Sequence, residues 1–147
     1  MMDNYLGLEP LLIARLHAAA PGFREIIGMA DLASMQASRQ TTPAALVIYQ
    51  GDALSGGDSR AGQGAVQVVV QTWLVVVAVR NERDTLGGAD ARCDAGVLIT
   101  RTLQALSGWQ APGFRPLVRV NAPKPGFNAG FAYFPLAFEA RMITGTS

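Results

Sequence analysis

The chain has 147 residues, half of them apolar and 16% charged, with a formal net charge of +1. That length fits one domain with an ordinary core, and the balanced charge gives no electrostatic footprint for nucleic acid or an anionic membrane. Cys93 is the only cysteine, which excludes an intrachain disulfide and offers no sign of an oxidising compartment.

The opening MMDNYLGLEP lacks the basic region and apolar core of a secretion signal, so a soluble, cytoplasmically made protein is expected. Eleven of the twelve basic residues are Arg and one, Lys124, is Lys. Arg is favoured at protein interfaces for its flat, multi-donor head, and a GC-rich genome accounts for the same bias equally well.

Taken in order, Leu8, Leu12, Ile13, Leu16 and Ala19 recur at helical spacing. Pro10 suits the first turn, and Pro21-Gly22 ends the helix. Phe23 to Ile27 reads as a short strand and Ala30 to Ala37 as a short helix. Pro43 opens a second strand, Ala44 to Gln50, through Leu46-Val47-Ile48-Tyr49. Gly51 to Gly64 contains five glycines and little to bury, which predicts a flexible loop or arm.

The run from Gly64 to Asp84 carries the most information. Gln67, Val69 and Gln71 alternate with Val66, Val68 and Val70, and every residue from Trp73 to Val79 is apolar. Alternation predicts a strand with one wet face, and the continuous run predicts a strand covered on both. The run stops at the charged turn Arg80-Asn81-Glu82-Arg83-Asp84. A long helix from about Ala89 to Leu106 follows, with Gly108 placed to cap it. Leu117 to Val120 reads as a strand and Asn121 to Gly130 as a Pro/Gly loop. Phe131 to Met142 is the last strand, with Leu136, Phe138, Ala140 and Met142 on one face. Pro135 predicts an edge or a bulge in it. The order α-β-α-β-β-α-β-β gives an α+β fold: a mostly antiparallel sheet of about five strands with two to three helices packed on it, in a single domain over residues 1–147.

No catalytic constellation is legible. His17, the sole histidine, lies on the first helix without a nucleophile or orienting partner in the pattern, and Cys93 reads as a small buried residue. Asp90 and Asp94 are one turn apart but lack a third metal ligand, and acids favour a helix start in any case. Gly62-x-Gly64-x-x-Gln67 precedes a strand where a dinucleotide loop would follow one. The aromatic residues lack a basic groove and read as sheet core. Neither metal nor cofactor is expected.

The segments QTWLVVVAVRN (71–81), LQALSGW (103–109) and APKPGFNAGFAYFPLAFEAR (122–141), with the opening LLIARLHAAAPGFREIIGMADL, resemble the tail-terminator-like proteins of Mu-like bacteriophages and prophages. The resemblance covers nearly the whole chain and rests on structural strings. It implies a virion protein that forms a ring, expected to be six-fold. Such a ring caps the tail tube, stops its polymerisation and presents a docking surface to the head-side connector or neck. The implied partners are further copies of the chain, the tube protein, the connector and, in a contractile tail, the sheath. The family has no catalytic motif to carry over. The loops themselves supply the interface candidates: Arg60 in the glycine-rich arm, Arg80, Glu82 and Arg83 in the charged turn, and Lys124 and Phe127 in the Pro/Gly loop. Another neck or tail-completion ring protein is the near alternative; a small enzyme or ligand-binding domain would need a deep pocket with converging polar groups.

Overall fold

The structure, a computed structural model, describes residues 4–31, 41–54, 66–81, 89–128 and 130–145. Its helices are α1 (Leu8–Ala19) and α2 (Ala89–Leu106). Its strands are β1 (Glu25–Met29), β2 (Ala44–Leu54), β3 (Val66–Arg80), β4 (Val118–Val120), β5 (Gly126–Asn128) and β6 (Phe131–Gly145). The short helix expected near Ala30–Ala37 falls, beyond residue 31, outside the described residues.

One six-stranded sheet runs in the order β1-β2-β3-β6-β4, with β5 also paired to β6. Every pairing is antiparallel except β1 with β2. The fold is thus α+β with a mostly antiparallel sheet. The Val-rich run sits at its centre: β3 pairs along its whole length with β6, from Val66 opposite Gly145 to Arg80 opposite Phe131.

Because side chains alternate across a strand, the continuous apolar stretch feeds two cores. Trp73, Val75, Val77 and Val79 join Leu8, Leu12 and Leu16 of α1 and Ala91, Ala95 and Leu98 of α2. Leu74, Val76 and Ala78 face the other way, with Leu46 and Ile48 of β2 and Tyr133 of β6. Leu136, Phe138, Ala140 and Met142 share the helix side as expected. The two helices are tied together by Arg15, whose Nε donates to the Ala105 carbonyl at 2.9 Å, and by Arg101, whose Nη1 donates to the Pro21 carbonyl at 2.9 Å. Gly108, two residues past the end of α2, takes the positive φ expected of a helix-ending glycine, 77°, and its N–H goes outside the helix to the Leu117 carbonyl at 2.9 Å.

Five expectations change. First, β2 runs on to Leu54, so residues 51–54 of the expected arm are strand, paired from Gly51–Thr72 to Leu54–Val69. A register shift between Tyr49 and Gly51, with Gly51 at φ 115°, lets the strand continue. Residues 55–64 lie outside the described residues. Second, the Pro/Gly loop contains β5, three residues that pair with Phe131–Tyr133.

Third, β6 is an interior strand. Its second neighbour is split, with β5 opposite 131–133 and β4 opposite 137–139. Pro135 falls in the gap between them, a local edge where the ring's missing N–H costs no ladder bond on that side. Fourth, the wet face of β3 is inverted. Val69 and Gln71 are buried, whereas Val68 is 38% exposed. The polar phase of the alternation lies on the helix side and the apolar phase faces out. Fifth, Cys93, read from sequence as buried, is exposed.

Candidate assembly surface

Gln71 is buried because it is fully used. Its amide Nε2 donates to the Tyr5 carbonyl at 2.7 Å, and its Oε1 accepts from Trp73 Nε1 at 3.1 Å. Tyr5 in turn donates its hydroxyl to the exposed Asp52 carboxylate. This chain of bonds lays the segment before α1 over the helix side of β2 and β3. Partial desolvation, the hydrogen bond donated to Asp52 and the Asp52 charge push the Tyr5 pKa up to about 12, since each disfavours a phenolate, while the side chain stays 39% exposed. The polar residues of the alternating stretch therefore serve the interior.

On the opposite face β3 carries Val68, Val70 and Thr72, with Ile143, Arg141 and Glu139 across from them on β6. Val68 stands opposite Ile143 in the β3–β6 register, and these are 38% and 58% exposed. Val118 of β4, on the same side by strand parity, is 55% exposed. Exposed β-branched residues grouped on a sheet face are a mark of an interaction surface. Beyond β4, the outer edge of β6 over residues 140–145 borders an open groove of about 850 Å³. Phe114, Arg115, Arg141, Met142 and Ile143 line it, and among the described residues no acidic side chain does. The backbone N–H of Arg115 reaches the Arg141 carbonyl at 2.9 Å, which fixes the 110–116 loop as the groove's outer wall.

The interface candidates from sequence separate. Arg80 is exposed at the end of β3, with its guanidinium 5.6 Å from the centre of the Phe131 ring. Phe127, 48% exposed, packs edge-on against Phe134 with centroids 6.3 Å apart. The register places both at one end of the sheet, Phe127 opposite Ala132 and Arg80 opposite Phe131. Lys124 is exposed between β4 and β5. Arg60, Glu82 and Arg83 lie outside the described residues. The Val68/Ile143 face and the Arg115/Arg141 groove were missed. The apolar phase of β3 was their only signal, and it reads equally as core.

Among the described residues no group of three or more His, Cys, Asp or Glu could hold a metal ion, and no helix is long and apolar enough to cross a membrane. His17 is exposed on α1. Asn81 Oδ1 and the Tyr133 hydroxyl are buried without a hydrogen-bond partner, and they belong to the β3 and β6 ends near Arg80.

Exposed apolar side chains on one sheet face and exposed Arg side chains at its edges are features that a structural assembly subunit would use. The whole chain, residues 1–147, matches the family model for the phage tail terminator protein. The chain belongs to that family of structural phage tail proteins. Comparison with curated proteins finds no match. Among solved structures it is similar to a chain of the virion of a native gene transfer agent particle, at 14% identity and a TM-score of 0.48. That likeness covers 94% of this chain and 88% of the other.

Proposed function

We propose that the protein acts, as one domain, in a closed ring of identical copies that caps a phage tail tube of the Mu-like type. The cap ends tube polymerisation and offers its far side to the head-side connector. The carrying observation is the inverted face of β3: Val68, Ile143 and Val118 are exposed where a free-standing domain would place polar residues. A ring gives such a surface a repeated partner. The tail tube, the neck and, in a contractile tail, the sheath are the other partners this role requires; it requires no cofactor.

Complementation of a terminator-deficient phage tests the reading. Supplying this protein should restore tails of uniform length joined to heads. Tails that stay overlong and headless in electron micrographs, although the protein is folded and abundant, would show that it has another place in the particle.

A further inference from the structure

The long strands β2, β3 and β6 continue together below the level of β1 and β4. Over this stretch the sheet is three strands wide: Leu54, Val69 and Met142 stand at one level, and Asp52, Gln71 and Ala140 at another. Among the described residues neither outer edge of this ribbon has a neighbouring strand, because β1 pairs only Ala44–Ile48 and β4 only Ala137–Glu139.

The two edges differ in chemistry. The β2 edge presents Asp52 and Leu54, and Leu54 is the most exposed of the large apolar side chains at 63%. Strand parity places both on the helix side, counting from Asp52 opposite Gln71 and Leu54 opposite Val69. The β6 edge is the groove with Arg115 and Arg141 on its rim and Phe114 and Met142 in its wall. One edge is an acid followed by an apolar side chain, and the other is two cations beside an apolar recess.

We infer that the β2 edge of one copy, through Asp52 and Leu54, docks into the Arg115/Arg141 groove on the β6 edge of the next. This rests on the ring reading above and says which surfaces close it. The contact is heterologous, so each copy gives one edge and receives another, and a suitable rotation closes the series into a ring. The levels agree without sliding one copy along the strands. Leu54 shares its level and its face with Met142. Asp52 lies one residue from the level of Arg141, whose side chain, opposite Val70, leaves from the other face and meets Asp52 around the open strand edge, and whose carbonyl anchors Arg115. Charge complementarity between the Asp52 carboxylate, which also accepts the Tyr5 hydroxyl, and the two arginines favours a second copy as the partner.

Charge exchange tests this with three proteins: Asp52→Arg, the double change Arg115→Glu with Arg141→Glu, and all three changes in one chain. Arg115 and Arg141 are exposed, so their reversal should leave the melting curve near wild type. Asp52→Arg also loses the Tyr5 hydroxyl bond. It is therefore compared with Tyr5→Phe, which removes that bond, keeps the Asp52 charge and should assemble as wild type does. Native mass spectrometry and sedimentation read the oligomer across a concentration series. Each separate reversal should raise the half-assembly concentration by about tenfold or more, because like charges then face each other. The three changes combined should bring it back, and an equimolar mixture of the two separately reversed proteins should co-assemble. Reversed proteins that assemble as well as wild type, or a combined variant no better than either, would overturn the edge-to-groove contact and leave the ring standing. A wild-type chain that stays monomeric throughout the series would overturn both.

Discussion

Trp73 is the residue on which most local structure converges. It is 1% exposed, lies 4.9 Å from the Tyr49 ring and donates its indole N–H to Gln71. Trp73→Ala would empty a large buried volume and leave the Gln71 oxygen without its donor. The expected loss is about 3–5 kcal/mol, read as a lowered midpoint in urea; an unchanged midpoint would contradict the packing described. Tyr5 gives a pH dependence of known sign. Its folded-state pKa of about 12 lies above the ordinary 10.0, so its stabilising contribution is whole below 10.0 and fades as pH rises through about 12. Burial also raises Tyr49 and Tyr133, so the contribution of Tyr5 is isolated by difference. Tyr5→Phe should lose less stability than wild type over that alkaline window, measured by urea midpoints at stepped pH. Equal losses would mean that Tyr5 titrates as it does in the unfolded chain.

At the scale of elements, legibility followed the strength of the local pattern. β3 was readable because seven successive apolar residues leave a strand buried on both faces as the natural solution. α2 was readable from its Ala/Leu spacing and from Gly108, where a positive φ ends the helix. β5 was not, since Gly126–Asn128 has no periodicity of its own and exists only because Phe131–Tyr133 lies opposite. The orientation of β3 was misread for a related reason. A Gln in an alternating strand ordinarily marks water, and only the distant Tyr5 carbonyl turns Gln71 inward. Pairing depth should also be visible in hydrogen exchange. Amides of residues 74–78, flanked by β2 and β6, should exchange slowest, and those of 51–54 fastest within β2. On assembly the latter should gain protection. Fast exchange at 74–78 would contradict the central placement of β3.

For the whole molecule, the separation of folding from assembly is the useful quantity. Arg80 rests over Phe131 but is exposed, and such a contact contributes about 0.5–1 kcal/mol. Arg80→Glu should therefore shift the melting curve only slightly. If this end of the sheet meets the tube or the connector, the same change should still yield overlong or headless tails in complementation, since repulsion across an interface costs more than at a free surface. Normal virions carrying the substitution would remove Arg80 from the contact surface and leave Lys124 and Phe127 as the described candidates there. The sequence exposed these loop residues as charged or aromatic. It could not reveal that Phe127 and Arg80 share one end of the sheet, because that follows from β6 lying between them.

The break in the edge opposite Pro135 has a bearing on growth. A sheet whose outer strand offers unbroken donors and acceptors can template further strands without limit, which is the route to fibres. Here the upper half of that margin is already filled by two short strands with a proline between them. Only the lower half remains open, and the 110–116 loop narrows it. Addition of a strand to β6 itself is thereby confined to that lower half. In this member of the phage tail terminator family, the outer margin of the sheet is interrupted opposite a single imino acid, Pro135.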